Sequence, residues 1–232
     1  MNRIKDIILD LDGPLLDGKL RHYRCYSDIL LKHGFEPQPL ENYWELKRAR
    51  KSRREILLLS KALHIYNLFL AEWLDRVECL DYLQFDCVQK AASNQLRTWR
   101  DCGRRIFLVT MRSNRENLVE QLKSKGLLSF FDRVVVCKHA EGGAGKASRL
   151  LKEVPSIEPQ FSIWIGDTEV DFDASRYLKC PSCLVINGLR NREYLTTLGP
   201  EFLKDDISQI NINEIENKQH EFVQNHSTAK DL

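Results

Sequence analysis

The segment Ile4-Lys-Asp-Ile-Ile-Leu-Asp-Leu-Asp-Gly13 decides the fold of this chain. Ile7–Leu9 is a short apolar run that a turn stops, which is typical of a buried strand in a parallel sheet. Asp10 and Asp12 follow at the end of that strand, and Gly13 lets the chain turn sharply away. We therefore predict a parallel sheet that carries an acidic pair at its carboxyl edge.

From Arg105 onward, apolar runs alternate with helical patterns. The predicted strands are Ile106–Val109, Arg133–Cys137, Phe161–Ile165 and Cys183–Ile186. The predicted helices are Asn114–Lys125, Lys146–Glu153 and Val170–Leu178, the first of them behind a capping box at Ser113–Glu116. Such alternation predicts an α/β fold, a doubly wound parallel sheet with helices on both faces.

Residues 17–97 have a different texture, with long charged segments and no runs of β-branched residues. Ser52 and Glu55 have the spacing of a capping box ahead of a helical pattern over Ile56–Leu63. We therefore predict a helical domain inserted into the sheet domain, which then comprises residues 1–16 and 98–212. Residues 213–232 are polar with little periodicity, which predicts a mobile tail.

Composition and charge narrow the class of protein. The 232 residues are 43% hydrophobic and 29% charged, as in an ordinary globular protein. The net charge of +2 is too small to indicate a nucleic-acid or membrane partner. Apolar stretches such as Ile56–Leu59 are far shorter than the roughly 20 residues of a membrane span. The first residues do not have the architecture of a signal peptide, so we expect a cytoplasmic protein.

The cysteines support the same location. Seven cysteines, an odd number, fit free thiols in a reducing compartment better than a disulfide framework. Cys180 and Cys183 form a lone CxxC, which without a second ligand pair is weak evidence for a zinc or redox site. We interpret them as small residues at the entry of a strand.

The acidic pair after the first strand suits phosphoryl transfer. One carboxylate can attack phosphorus in line, while the other protonates the leaving oxygen and later takes a proton from water. An acidic pair by itself is more often part of a turn or a surface. The interpretation of Asp10 and Asp12 therefore depends on what the other strand ends carry.

The later strand ends carry Thr110, Lys146, Asp167 and Asp171, at the edge where open α/β sheets bind their ligands. A hydroxyl and a lysine charge can hold phosphoryl oxygens. Mg²⁺ prefers oxygen ligands and takes one or two carboxylates from a protein. Asp10 and Asp167 are therefore candidate ligands, and Asp171 can support the metal through water. Each residue also has an ordinary interpretation, as a strand-end hydroxyl, a solvated lysine or a helix-capping acid.

In combination, these residues resemble the haloacid dehalogenase superfamily over Asp6 to about Ile210. The four motifs of that superfamily correspond, in order, to Asp10–Asp17, Leu108–Thr110, Gly145-Lys146 and Ile165–Asp171. Four motifs in order at strand ends are a specific signal. The resemblance implies a Rossmann-like core, with residues 17–97 as a helical cap of the first type that closes over the substrate.

The resemblance also implies roles for the site residues. Asp10 would be the nucleophile that forms an aspartyl-phosphate, and Asp12 would be the acid/base, with its backbone carbonyl on Mg²⁺. Thr110 and Lys146 would hold the phosphoryl group, and Asp167 would be a metal ligand. Dehalogenases of this superfamily lack the second acid and use no metal, so Asp12 indicates the phosphatase branch.

Three further residues are candidate substrate contacts. Met111 and Arg112 are predicted to line the floor of the pocket, and Arg112 is the better candidate for a contact. His22 lies with Arg21 near the hinge of the cap, where it can contact the leaving group or simply pack. The basic run Lys47–Arg54 can grip a second anionic group of the substrate, but a solvated helix face is the interpretation we favour.

The sequence therefore predicts Mg²⁺-dependent hydrolysis of a small phosphorylated metabolite. Two alternatives stay open: a phosphomutase of the β-phosphoglucomutase kind, and a non-catalytic binding or regulatory protein on the same scaffold. The second rests on Pro14, which stands where relatives usually have Thr or Val and removes a backbone donor. Neither the substrate nor the oligomeric state can be deduced from the sequence.

Overall fold

A computed structural model of the protein describes residues 3–217. The strands are β1 Asp6–Leu9, β2 Leu16–Asp17, β3 Cys87–Val88, β4 Arg105–Thr110, β5 Arg133–Val136, β6 Ser162–Gly166, β7 Ser182–Val185 and β8 Phe202–Lys204. The helices are α1 Lys19–Lys32, α2 Leu40–Arg48, α3 Arg53–Leu59, α4 Tyr66–Arg76, α5 Leu80–Leu83, α6 Ala92–Asp101, α7 Arg115–Ser124, α8 Gly142–Glu153, α9 Glu169–Leu178 and α10 Arg192–Leu198.

Six of the strands form a parallel sheet in the order β5-β4-β1-β6-β7-β8. Because successive side chains of a strand point to opposite faces, Ile7 and Leu9 pack with α6 and α7, whereas Ile8 packs with α8 and α9. The sheet is therefore covered on both faces, which confirms the predicted doubly wound α/β fold. Strand β1 lies inside the sheet, between β4 and β6. Asp10, which follows β1, therefore lies near the middle of the carboxyl edge of the sheet.

The predicted strands of the second half are confirmed to within about one residue. Helix α8, however, begins at Gly142, four residues before the predicted start at Lys146. The glycines there look like a loop in the sequence, but a Cβ on Gly143 would lie 2.6 Å from the Val170 carbonyl oxygen. Gly143 thus serves close packing of α8 on α9 and does not break the helix. Strand β8 had no prediction.

The predicted capping box at Ser113–Glu116 is wrong by one residue. Asn114 is the N-cap of α7, and its side chain accepts a hydrogen bond from the Asn117 amide at 3.0 Å. The Ser113 hydroxyl instead donates to Glu78 of the insert. A tertiary contact therefore competes with the local cap for the same hydroxyl.

The inserted helices α1–α5 have a hydrophobic cluster of their own, which includes Tyr26, Ile29, Phe69 and Trp73. The predicted capping box of Ser52 and Glu55 is present at the start of α3. Strands β2 and β3 pair antiparallel, so the two ends of the insert lie side by side. This pairing leaves the parallel sheet uninterrupted by the insertion.

Helix α6 packs with the sheet domain, although the predicted boundary at residue 97 assigns the first part of this helix to the insert. Ala92, Leu96 and Trp99 of α6 belong to the cluster under the parallel sheet, so we propose that the insert ends after β3 and not at residue 97.

Residues 213–217 of the predicted tail pack on the sheet domain. Ile215 is completely buried in the sheet cluster, and Glu216 accepts hydrogen bonds from the Ile4 amide at 2.8 Å and from Arg104. Ile212 and Ile215 are three residues apart, as suits one face of a helical turn. Residues 218–232 of the predicted tail lie outside the described residues.

All seven cysteines are free thiols, as predicted. Cys180 and Cys183 are both buried, the second of them within β7, in agreement with their interpretation as small residues at a strand entry. Within residues 3–217, no helix combines the length and the hydropathy of a membrane crossing.

Candidate active site

The carboxyl edge of the sheet forms the floor of a cavity of about 520 Å³, and the insert forms its opposite wall. This volume suits a small metabolite. The cavity is lined by most of the predicted site residues, namely Asp10, Asp12, His22, Thr110, Met111, Arg112, Lys146 and Asp167. Asp171 lies beside them, because its carboxylate, that of Asp10 and that of Asp167 have oxygens within 4.8 Å of one another.

Asp10 is held at the end of β1 by its amide, which donates to the Ile165 carbonyl at 2.9 Å. Its Oδ1 accepts a hydrogen bond of 2.6 Å from Nζ of Lys146, a side chain that is 1% exposed. Burial raises the pKa of Asp10 to about 7, against the opposing effect of Lys146. Asp10 is thus a carboxylate with little hydration, directly in the cavity.

Asp171 fixes Lys146 from the other side. Its Oδ1 accepts from Lys146 Nζ at 2.6 Å, and its Oδ2 accepts from the Thr168 hydroxyl at 2.8 Å. Burial opposes the charge of Lys146, but Asp10 and Asp171 outweigh it and raise the lysine pKa. Since both oxygens of Asp171 already have partners, its geometry favours a positioning role over direct metal ligation.

Asp167 has the free oxygen that a metal would need. Its Oδ2 accepts from the Leu189 amide, whereas its buried Oδ1 has no hydrogen-bond partner among the described residues. Burial and the nearby charge of Asp10 raise the pKa of Asp167 well above its ordinary value. A divalent cation between Asp10 and Asp167 would satisfy the free oxygen and offset this repulsion, so the donor set fits Mg²⁺.

The turn after Asp12 depends on Gly13. Its φ of +90° lies in the left-handed region, and an added Cβ would lie 2.3 Å from Cγ of Asp167. The hydrogen bonds of the turn are donated by the amides of Gly13, Leu15 and Leu16. Pro14 therefore removes no donor that this turn uses.

Gly13→Ala is expected to cost well over 1 kcal/mol of unfolding free energy, because it adds a collision with Asp167 to the cost of a positive φ, which alone is about 1 kcal/mol. The matched control is Gly34→Ala, since Gly34 has a φ of +79° and open space around its Cβ position. Urea unfolding of both variants measures the difference. Equal losses would contradict the close approach to Asp167.

Asp12 is held by two arginines, one from the insert and one from the sheet domain. Arg21 Nη2 donates to Oδ1 at 2.8 Å, and Arg112 binds both oxygens at 2.8 Å. Burial favours the protonated form, but Arg112 and Arg21 outweigh burial and lower the pKa of Asp12. The Asp12 carboxylate is therefore charged in this arrangement. Arg112, predicted as a substrate contact, uses its guanidinium on Asp12.

Asp86 completes this network, and the sequence analysis did not find it. The side chain is completely buried and accepts from Arg21 at 2.7 Å, Arg112 at 3.0 Å and Gln121 at 2.8 Å. It is 65 residues from Arg21 in the chain. Only its position just before β3, at the end of the insert, gave a signal. Two carboxylates and two guanidinium groups thus join both domains beside the cavity.

The remaining predicted residues lie on the cavity wall. Thr110 ends β4, and its hydroxyl accepts a long hydrogen bond of 3.4 Å from the Arg112 amide. The Met111 side chain is half-buried and packs against the hydrophobic cluster between the sheet, α8 and α9. His22 stacks on Trp73 with ring centroids 5.5 Å apart, and its buried Nδ1 has no hydrogen-bond partner among residues 3–217.

The basic run Lys47–Arg54 is not the single solvated helix face that we expected. Helix α2 ends at Arg48, Arg50 has a φ of +62° in the turn that follows, and α3 begins at Arg53. Arg50 and Arg190 both bind Glu169, and Arg48 Nη2 donates to the Ile186 carbonyl at 2.6 Å. Part of the run therefore docks the insert onto the sheet domain.

The buried carboxylates Asp10 and Asp167, with a lysine and a threonine at the carboxyl edge of a parallel sheet beneath a helical insert, define a Rossmann-like α/β protein with a capped site. The chain belongs to the haloacid dehalogenase-like hydrolase family, whose family model matches residues 7–185. No curated protein matches the sequence significantly.

Solved structures agree with the fold. A haloacid dehalogenase-like hydrolase family protein from Streptococcus pneumoniae has a TM-score of 0.73 at 15% identity, covering 90% of this chain and 97% of its own. A predicted phosphatase from Clostridium acetobutylicum has a TM-score of 0.67 at 18% identity, covering 94% and 99%. A predicted phosphoglycolate phosphatase from Haemophilus somnus has a TM-score of 0.70 at 13% identity, covering 93% and 99%.

Proposed function

We propose that the protein is a phosphatase that hydrolyses a small phosphate monoester with Mg²⁺, through an aspartyl-phosphate on Asp10. The observation that carries the proposal is the pairing of Asp10 with Lys146 at the floor of the cavity, beside the free oxygen of Asp167. Membership of the hydrolase family and structural neighbours described as phosphatases support the same reaction class.

In the first step, a carboxylate oxygen of Asp10 attacks phosphorus, and the bond to the leaving oxygen breaks as that oxygen takes a proton from Asp12. In the second step, Asp12 removes a proton from water, the water oxygen attacks the aspartyl-phosphate, and phosphate leaves with Asp10 restored. The charged Asp12 seen here suits this second step. The first step needs Asp12 protonated, which requires Arg112 and Arg21 to release its oxygens.

Lys146 and Thr110 hold the phosphoryl oxygens, while Asp171 keeps Lys146 in place. Asp10, Asp167 and the backbone carbonyl of Asp12 would hold Mg²⁺, which offsets the negative charge of the phosphoryl group when bound. Closure of the insert excludes water from the cavity. Because the seven cysteines are free thiols, we propose that the protein is cytoplasmic. Its substrate would be a phosphorylated metabolite.

Purified protein is expected to release phosphate from members of a monoester panel with MgCl₂, and to lose at least about 100-fold of that rate with EDTA, because the acidic cluster then repels the substrate. A malachite green assay measures free phosphate, with buffer and heat-denatured protein as controls. Release of no phosphate from any ester of the panel would contradict the proposal. Conversion of one ester into an isomer without free phosphate would instead identify a mutase.

A further inference from the structure

The part of the cavity wall that the insert forms carries basic side chains that the proposed hydrolysis does not use. Lys47 lies at the end of α2 and Arg53 at the start of α3, and both line the cavity that contains Asp10 and Lys146. The cavity thus has a phosphoryl end on the sheet and a basic end on the insert.

Neither of these cations forms an ion pair within the part of the chain that the structure describes. Within residues 3–217, no carboxylate lies within 4.0 Å of the Lys47 ammonium or the Arg53 guanidinium, although Arg50 pairs with Glu169 and Lys51 with Glu55. The Lys47 ammonium lies 5.3 Å from the ring centroid of Trp73, and the Arg53 guanidinium lies 5.4 Å from the same ring. Arg50 and Lys51 of the basic run are therefore paired with carboxylates. Lys47 and Arg53 line the cavity without such a pair among the described residues.

The surroundings make an anion favourable at this end. Burial lowers the pKa of Lys47 well below its ordinary value, and the positive charges of Arg53, Arg190 and Arg21 add to that effect. The half-buried Lys47 ammonium loses hydration without gaining a carboxylate partner among residues 3–217, and a bound anion would offset that cost. The Arg53 side chain is exposed and adds a positive charge at the same part of the wall. The buried Nδ1 of His22, beside Trp73, adds a polar atom that has no hydrogen-bond partner in the described part of the chain.

We infer that the substrate is a phosphate monoester whose leaving group carries a second anionic group, bound by Lys47 and Arg53. This inference rests on the proposed function, because it takes Asp10 as the phosphoryl end. The second group is a carboxylate or another phosphate. The insert thereby recognises the part of the substrate that leaves.

The test uses probes that differ only in the second group. Phenyl phosphate is compared in its 4-carboxy, 4-phosphonooxy and 4-carbamoyl forms, and 2-phosphoglycolate is compared with its neutral amide. In one set or both, kcat/KM of an anionic probe is expected to exceed that of its neutral partner about tenfold, the factor for one charge-assisted hydrogen bond gained. The carboxy and phosphonooxy forms distinguish the two kinds of anion.

Lys47→Met and Arg53→Met are each expected to bring this ratio close to one. Arg54→Met is the matched control, since Arg54 follows Arg53 in α3 but stacks on the Tyr66 ring of α4 at 4.0 Å and does not line the cavity. It is expected to leave the ratio unchanged. A preference below about fivefold in both sets, or one that survives both substitutions, overturns the inference even where phosphate is released.

Calorimetric binding of the 4-carboxy and 4-carbamoyl probes to Asp10→Asn protein separates this inference from the proposed hydrolysis. Tighter binding of the carboxy form, lost on adding Lys47→Met, supports the basic end even in the absence of turnover. Equal binding of the two forms overturns it. Failure of every ester to release phosphate would count against the hydrolysis alone.

Discussion

Asp10→Asn protein is expected to lose at least about 10⁴-fold in phosphate release and to be more stable than the wild type at pH 7–8. The loss follows because an amide cannot attack phosphorus to form the covalent intermediate. The gain in stability follows because the wild-type carboxylate is buried with little hydration. The two effects have opposite signs, so a simple loss of folding cannot account for both.

The pH dependence of the stability difference can be stated in advance. The folded-state pKa of Asp10 is about 7, against an ordinary value of about 3.8. A raised carboxyl pKa means that the folded state holds the proton more tightly, so this contribution to stability is lost as the pH rises from about 4 to about 7. Asparagine is neutral throughout, and its advantage therefore grows over that window, up to a few kcal/mol.

Thermal unfolding in EDTA at several pH values measures this difference. Asp173→Asn is the control, since Asp173 is exposed on α9 and its replacement should change neither activity nor stability. Retention of more than a few per cent of phosphate release would exclude Asp10 as the nucleophile. A lower melting temperature for Asp10→Asn at pH 8 would contradict the description of Asp10 as a poorly hydrated carboxylate.

Asp86→Ala is expected to lower the free energy of unfolding by about 3–5 kcal/mol, the usual cost of leaving a buried charge without its partner. Arg21 and Arg112 would then share only Asp12, and Gln121 would lose an acceptor. For a chain of this size the melting temperature should fall by roughly 10 °C. The same change loosens the contacts that hold Asp12, so kcat/KM should fall as well.

Urea unfolding provides the measurement. Asp75→Ala in α4 is a matched control, because Asp75 is exposed and its side chain has no partner in the described part of the chain, so it should stay within about 0.5 kcal/mol of wild type. Asp86→Asn keeps the shape of the side chain without its charge, so its free energy of unfolding should lie between those of Asp86→Ala and Asp75→Ala. A loss below about 1 kcal/mol for Asp86→Ala would show that the buried network contributes little to folding.

The local sequence was sufficient for five of the six strands of the sheet and for the floor of the site. A buried parallel strand is read from a continuous apolar run, and residues that follow such strands meet at one edge whatever the details of packing. Asp10, Thr110, Lys146 and Asp167 could therefore be assigned to one place before the structure. Even the start of α8, misplaced by the sequence, left Lys146 at that edge.

The wall of the cavity was less accessible to sequence reasoning. Lys47 and Arg50 belong to one basic run, yet one faces the cavity beside Trp73 while the other pairs with Glu169. A positive φ at Arg50 turns the chain after α2. Positive φ is uncommon in residues other than glycine, so no local sequence pattern predicts this turn. The division of the run into docking and ligand-facing charges is a property of the folded insert.

The sequence by itself determined the order of the elements, the placement of the acids and the presence of a helical insert. Only the tertiary structure decided that Asp86 pairs with Arg21 and Arg112 and that Ile215 is part of the core. It also decided that Lys47 and Arg53 lie at the Trp73 ring and pair with no carboxylate of residues 3–217. The physical reason is that periodicity and capping are short-range, whereas the stability of a buried charge depends on groups tens of residues away in the chain.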